Sequence, residues 1–290
     1  MRKNAKQVRP PPSGLPAAPP KSIAAAAVAK RETSRVASHI AVLDRATALL
    51  FSLAHSPRLA TLNEVATAAH LSKATAFRIL ATLTESGLVE QDAATSSYRL
   101  GIAPLRLATA VLDGIEVHAV ARPILRAVCD RLNETVVLSV RDGDDRINID
   151  AVECTNAIGS SRRIGEPRPL HLGGASRALL AAMSDAEIEA YLERHRLDRG
   201  PGSSAAYRDS LWKDIRKARR TGLVSMTAET SPESHAVATM IPGPDGRPIA
   251  ALHVAIPKAR FSSRVEVRCG QALLRAAAEI ARDLATSHHV

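Results

Sequence analysis

From Ile40 onward the apolar residues Ile40, Leu43, Ala46, Leu49, Leu50 and Leu53 recur three or four positions apart. That spacing predicts a helix of about fifteen residues with one buried face. "HSPRL" breaks it at Pro57. Thr61, with Glu64 three residues on, has the form of a capping box and opens a second, short helix whose inward face is Leu62, Val65 and Ala66, with Ala69 behind. His70-Leu71 turns the chain. Ser72 then caps a third helix running to about Ser86, which buries Ala76, Ile79, Leu80 and Leu83 and ends at Gly87 as a left-handed cap. The following "LVEQDAATSSYRLG" reads as strand (88–91), polar turn (92–96) and strand (97–100). Three helices with a tight turn between the second and third, closed by a hairpin, make a winged helix-turn-helix, whose third helix can lie in the major groove of DNA.

Beyond the hairpin the pattern changes. "APLRLATAVLDG" (103–114) predicts an Ala/Leu helix linking two domains, and "VHAVARPILRAVCDRLN" a longer one. "ETVVLSVR" and "INIDAVE" alternate as strands around the turn "DGDD". "HLGGASRALLAAM" is a glycine turn opening a helix; "SDAEIEAYLERH" is another helix, with Ser184 and Glu187 as its capping box; "YRDSLWKDIRKARRTG" is a helix stopped by Gly222. "SHAVATMIP" and "PIAALHVAIP" flank the turn "GPDGR" as an antiparallel hairpin, and "VEVRCGQALLRAAAEIARDLA" closes the chain as a helix. Antiparallel strands with flanking helices predict an α+β sensor-like domain.

Charge and composition refine this picture. The 290 residues suffice for about two domains. Aromatics are only 2% of them, so Ala, Leu, Val and Ile must build the cores. Of the net charge of +10, residues 1–37 hold +7, from eight Lys/Arg and one acid. With "RPPPSGLPAAPPK" in it, that segment reads as a disordered basic arm, either a passive tail or a tether to a polyanion such as DNA. Residues 38–100 carry five basic and five acidic residues, so positive charge there must lie on one face or be helped by the arm. No apolar run approaches the ~20 residues needed to span a bilayer. "SIAAAAVA" is too short and too alanine-based for an export signal, and a cytoplasmic protein is expected. Cys129, Cys154 and Cys269 are scattered, as expected of reduced, buried thiols rather than a disulfide framework or a metal site.

The candidate DNA contacts follow from the motif. Ser72, Lys73, Thr75, Ala76 and Arg78 occupy the leading edge of the third helix, Thr61 opens the second, and Ser97 and Arg99 lie in the hairpin. Small residues permit close approach, and hydroxyls suit phosphates or bases. Arg78 has the reach for a bidentate guanine contact, while Lys73 suits a phosphate.

With both domains laid out, the sequence resembles the IclR family of transcriptional regulators. The resemblance spans about residues 38–286. It rests on "LSKATAFRILATLTESGLVEQD" followed by "YRLG", then "RPLHLGGASRALLAAM", "RRTGLVS" and "PDGRPIAALHVAIP". It implies a DNA-binding domain (38–101) after the arm (1–37), a linker helix (102–116), and a GAF-like effector-binding and oligomerisation domain (117–290). It also implies homodimers or tetramers on pseudo-palindromic operators, a small organic acid as effector, control of a catabolic pathway, and neither cofactor nor metal. This chain departs from the family pattern in several places. Ser176-Arg177 stand for the usual glycine-lysine pair, "SMTAET" for the usual acidic run, and His253 and Ala255 for two serines found in some members.

The resemblance places the effector at Gly174 and Ala175, at Met226, Ala236, His253 and Ala255, and under a covering loop with Ala157 and Ser160. Met226 and the alanines suit an apolar body, that of an aromatic or aliphatic acid. The backbone N–H groups where a helix begins after Gly173-Gly174 suit a carboxylate. Taken alone, Gly-Gly before a helix is equally a tight turn, and His253 equally a core histidine bonded to a backbone carbonyl. A second reading keeps the winged helix but makes the downstream domain only an oligomerisation platform. Catalysis is the least supported reading: there is no G-x-S-x-G elbow, P-loop or metal-spaced histidine cluster, and no catalytic residue is assigned.

Overall fold

In the computed structural model, residues 40–56, 58–154, 163–195, 197, 204–227, 229 and 233–287 are described. The basic arm, Pro57, and the loop residues Ala157 and Ser160 lie outside them. Three helices come first: α1 (Ala41–His55), α2 (Leu62–Ala68) and α3 (Lys73–Glu85). The hairpin strands β1 (Val89–Gln91) and β2 (Tyr98–Leu100) follow, pairing Glu90 with Arg99. The predicted caps are present. Thr61 and Glu64 form a reciprocal capping box, and Ser72 Oγ accepts from Thr75 N–H at 3.2 Å. The turn between α2 and α3 places a histidine where glycine is the easy choice. His70 has φ +55°, with Leu71 N–H on Ala66 O and His70 N–H on Thr67 O. These paired bonds close the end of α2 tightly enough to hold a non-glycine residue in the left-handed region. Leu49, Leu53, Val65, Ala66, Ala76, Leu80, Leu83, Val89 and Tyr98 form the core of this domain.

Helix α4 (Ala103–Asp113) leads to α5 (Glu116–Leu132). Then come β3 (Val136–Asp142), β4 (Asp145–Val152), β5 (Pro167–Pro169), α6 (Gly174–Ala181), α7 (Asp185–Arg194), α8 (Ser204–Thr221), β6 (Leu223–Thr227), β7 (Ser234–Pro242), β8 (Pro248–Pro257) and α9 (Ser263–Ser287). The strands make one antiparallel sheet in the order β5-β4-β3-β8-β7-β6. The hairpins β3–β4 and β7–β8 match the sequence pattern. Strands β5 and β6 were not anticipated: they are short, and β5 is an edge strand with proline at both ends, which edge pairing tolerates.

The two faces of the sheet bury different helices, as side-chain alternation requires. Val136, Leu138, Val237, Leu252, Val254 and Ile256 pack with α5 and α9. Val224, Ala238 and Ala251 pack with α6, α7 and α8, with Met226 and Met240 alongside. Two buried carboxylates pin this framework. Asp150 takes both oxygens to Arg122 at 2.8 Å, and Glu134 pairs with Arg260 at 2.7 and 3.0 Å. No helix among the described residues is long and apolar enough to cross a membrane.

Candidate DNA interface and effector pocket

On α3 the outward residues Lys73, Ala74, Phe77, Arg78, Ala81 and Thr82 are exposed. Lys73 and Arg78 therefore stand where the sequence placed them. Ser72 and Thr75 sit at the helix start, but their hydroxyls face each other at 2.9 Å, and Thr61 is similarly engaged with Glu64. Two candidates need correction. Ala76 is 0% exposed because it packs inward with Leu80, so its methyl cannot touch DNA. Ser97 is 7% exposed, folded under the hairpin turn before Tyr98. Arg99 is exposed, but Glu90 opposite it accepts two hydrogen bonds, at 2.8 and 3.1 Å, so its charge is largely met within the wing. The sequence reading overlooked Phe77, 52% exposed beside Arg78. A phenylalanine on the outward face of such a helix is suited to apolar contact with a thymine methyl. Its signal was available: a large aromatic one position off the buried face.

In the sheet, register brings the candidate effector residues together. Met226 pairs with Ala236 and Ala236 with Ala255; one step along, Val224 pairs with Ala238 and Ala238 with His253. These residues share one face. Helix α6 begins directly over them: a Cβ built on Gly174 would lie 3.1 Å from the Ala236 Cβ and 3.8 Å from both Ala238 Cβ and Val224 Cγ1. Gly174 therefore permits close helix-to-sheet approach, a different reason for glycine from close ligand-to-backbone approach. Ala175 is buried beside it. Gly173, Met226 and Ala255 are half-buried, with Met226 on the edge strand β6 and Ala255 near the end of β8, so this is a corner of the sheet that solvent reaches. Farther along the same face, Arg146 donates to Asn148 Oδ1 at 2.6 Å and to Ser139 Oγ at 3.2 Å, a buried polar group that the sequence did not reveal.

Just outside this spot lies a cluster that the sequence reading missed. Gly173, at φ +91°, is the N-cap of α6, and its N–H donates to Glu229 Oε2 at 3.1 Å. Arg177, in the first turn of α6 and 3% exposed, donates through Nη1 to Asp214 and through Nη2 to Glu229. Its guanidinium lies 5.7 Å from the centre of the Tyr207 ring, and Tyr207 Oη is 3.3 Å from Glu229 Oε2. Burial, and next the Glu229 charge, raise the Tyr207 hydroxyl pKa, which keeps it a neutral donor. A cation in the first turn opposes the helix dipole. That position was the sequence's hint of an acidic partner. The segment "SMTAET", read as having lost the family's acids, keeps one in Glu229.

Next to it, His171 and Tyr191 are buried, with Nδ1 and the Tyr191 hydroxyl 2.7 Å apart, and Tyr207 Oη donates to His171 O at 2.8 Å. Burial, then the charges of His195 and Arg177, hold the His171 pKa down to about 4. The unfolded chain, with an ordinary histidine near pH 6.5, takes up this proton first. Stability is therefore expected to be unaffected by this group above pH 6.5 and to fall between pH 6.5 and 4, with at most the slope of one proton, about 1.4 kcal/mol per pH unit. Denaturant unfolding at pH 7.5, 5.5 and 4.5 checks this. The His171→Gln variant should lose that share of the slope, and equal slopes in both proteins would contradict it.

Comparison with known proteins gives this geometry its context. The IclR helix-turn-helix domain model matches residues 42–93, and the model of the bacterial transcriptional regulator IclR C-terminal domain matches residues 109–282. The chain is 28% identical over 250 residues to the transcriptional repressor IclR of Escherichia coli (strain K12), covering 86% of this chain and 91% of that one. It is 27% identical over 215 residues to the HTH-type transcriptional regulator KipR of Bacillus subtilis (strain 168), covering 74% and 85%. Among solved structures, the Thermotoga maritima IclR has the same fold, at 23% identity and TM-score 0.71 over 85% of this chain and 100% of that one. So does an IclR homolog complexed with 4-hydroxybenzoate from Microbacterium hydrocarbonoxydans, at 23% identity and TM-score 0.72 over 84% and 98%. With one family model on its winged helix and the other over more than half its length, the chain belongs to the IclR family of transcriptional regulators.

Proposed function

We propose that the protein is a cytoplasmic regulator of a catabolic pathway whose DNA binding responds to a small organic acid held against the sheet beside the start of α6. The observation that carries this reading is the solvent-reached spot formed by Gly173, Met226 and Ala255 beside Ala236 and the buried His253. Short apolar side chains in register suit a flat apolar body, and His253 supplies a polar group at its edge. The 4-hydroxybenzoate bound by the Microbacterium homolog is an acid of this form. Thermal-shift measurements with a panel of aromatic and aliphatic carboxylates test the reading. A ligand that binds the folded state raises the melting temperature through linkage. A panel that leaves it unmoved would favour a domain that only oligomerises.

A second copy of the chain belongs to the proposal. Ile40, Leu43 and Phe51 on and before α1, and Ile102, Leu105, Leu107 and Val111 on and before α4, are exposed, and α4 buries none of its residues within the chain. Apolar faces of this extent mark an interface. A dimer placing two third helices on a pseudo-palindrome satisfies them. On such DNA, Arg78→Ala is expected to cost about 1–3 kcal/mol on the cognate site while barely changing binding to scrambled DNA. Equal losses on both would make Arg78 a phosphate contact. The arm (1–37) is proposed to add sequence-independent attraction.

A further inference from the structure

Half-buried Gly173 belongs both to the candidate pocket and to the start of α6, and the anion position there is already taken. Glu229 Oε2 accepts from Gly173 N–H at 3.1 Å and lies 3.3 Å from Tyr207 Oη, while Glu229 Oε1 meets Arg177. These are donors that a bound carboxylate would seek: a helix-start N–H and a guanidinium. Three observations distinguish this from an ordinary structural ion pair. Arg177 already has Asp214, so its charge is met without Glu229. Arg177 is 3% exposed, yet its Nε has no hydrogen-bond partner among the described residues, leaving one guanidinium edge able to take a second oxygen. Glu229 stands three residues beyond Met226, past the end of β6, with its side chain 17% exposed, so water is within its reach.

We propose that Arg177 and Gly173 N–H form the carboxylate subsite of the effector pocket, that Glu229 fills it from within, and that an acid effector binds by displacing Glu229. The proposal rests on the reading of the sheet face as the pocket. The ligand class follows from charge. With Asp214 and Glu229 both against one guanidinium, a third carboxylate is repelled, whereas one that replaces Glu229 inherits its hydrogen bonds and leaves the local charge unchanged. A neutral ligand gains nothing from the exchange. Glu229 thus sets a threshold that an acid must exceed, and its release alters the chain just past β6 whenever the site is occupied.

Calorimetric titration of the full chain with 4-hydroxybenzoate, and with 4-hydroxybenzamide as its neutral counterpart, tests this. Glu229→Gln keeps the shape and removes the competing charge. It is expected to tighten 4-hydroxybenzoate by at least about fivefold, as when an occluded binding-competent state is made dominant, and to leave the amide unchanged. Arg177→Lys, which keeps the charge but loses the planar fork, is expected to weaken the acid and not the amide. If the acid binds wild type and Glu229→Gln equally, or more weakly to the variant, the displacement is wrong although the pocket stands. If neither ligand binds either protein, the pocket reading falls and takes the subsite with it.

Discussion

Gly101→Ala is expected to destabilise the winged-helix domain by about 3 kcal/mol, the upper end of what forced overpacking costs. A Cβ at Gly101 would stand 2.2 Å from the carbonyl oxygen of Gly87 and 3.0 Å from its carbonyl carbon. That oxygen cannot step aside. Gly87 holds the left-handed turn that ends α3, at φ +70°, and its oxygen accepts from Ala103 N–H at 3.2 Å. Gly101 N–H in turn donates to Leu88 O at 2.9 Å. The end of the third helix, the root of the wing and the entry to α4 meet at this point, so relieving the clash must shift the wing relative to α3. DNA affinity is expected to fall together with stability. Gly114→Ala is the control: its Cβ meets nothing nearer than 3.5 Å, and the change should be neutral or slightly stabilising. Proteolysis or hydrogen exchange across the wing, compared between the two variants, reads the difference. Equal protection in both would show that the chain absorbs the methyl.

Arg177→Met is expected to cost the effector domain about 3 kcal/mol, the low end for breaking a buried pair, because Asp214 and Glu229 retain some access to water. The penalty comes from two carboxylates left facing each other, not from lost packing, since methionine keeps much of the apolar stem. Adding Asp214→Asn and Glu229→Gln to the same chain should therefore restore part of the loss, as coupled residues do in a mutant cycle. Trp212, the chain's one tryptophan, lies on α8 with Nε1 donating to Glu189 at 3.1 Å, so its fluorescence reports this domain alone. Additive losses in the triple variant would mean that the three side chains do not act as a unit.

The winged helix was legible because each of its signals is local. Thr61 with Glu64, Ser72 with Thr75, and Gly87 with Thr84 are bonded within three residues. The β7–β8 hairpin was legible for the same reason. The pairing of β3 with β8 was not, because Val137 meets His253 across most of the effector domain and alternation does not encode the partner strand. The candidate site divides along the same line. Met226, Ala236, His253 and Ala255 came from family resemblance, and register gathers them on one face. Arg177 with Glu229 required a contact across 52 residues, and only the dipole-opposed arginine hinted at it. Ala76 fits the apolar spacing of the inward face as well as the small-residue leading edge, and on a helix with 3.6 residues per turn it can take only one, the buried one.

If α3 reads DNA and an acid bound on the effector domain's sheet controls that binding, the two sites are coupled in free energy. The most direct measurement is fluorescence anisotropy of a DNA site selected from a random pool by the full chain, titrated with and without members of the carboxylate panel, for wild type and Ala255→Leu. Ala255 is half-buried on the pocket face, so leucine fills the proposed ligand space without entering the core of the winged helix. An acid of the panel is expected to shift wild-type affinity by at least about fivefold, within the usual 1–3 kcal/mol of allosteric coupling. The Ala255→Leu variant is expected to bind the same DNA as tightly but no longer to respond. A variant that responds like wild type would rule out this site as the sensor, and a wild type whose DNA affinity no carboxylate changes would rule out acid control altogether.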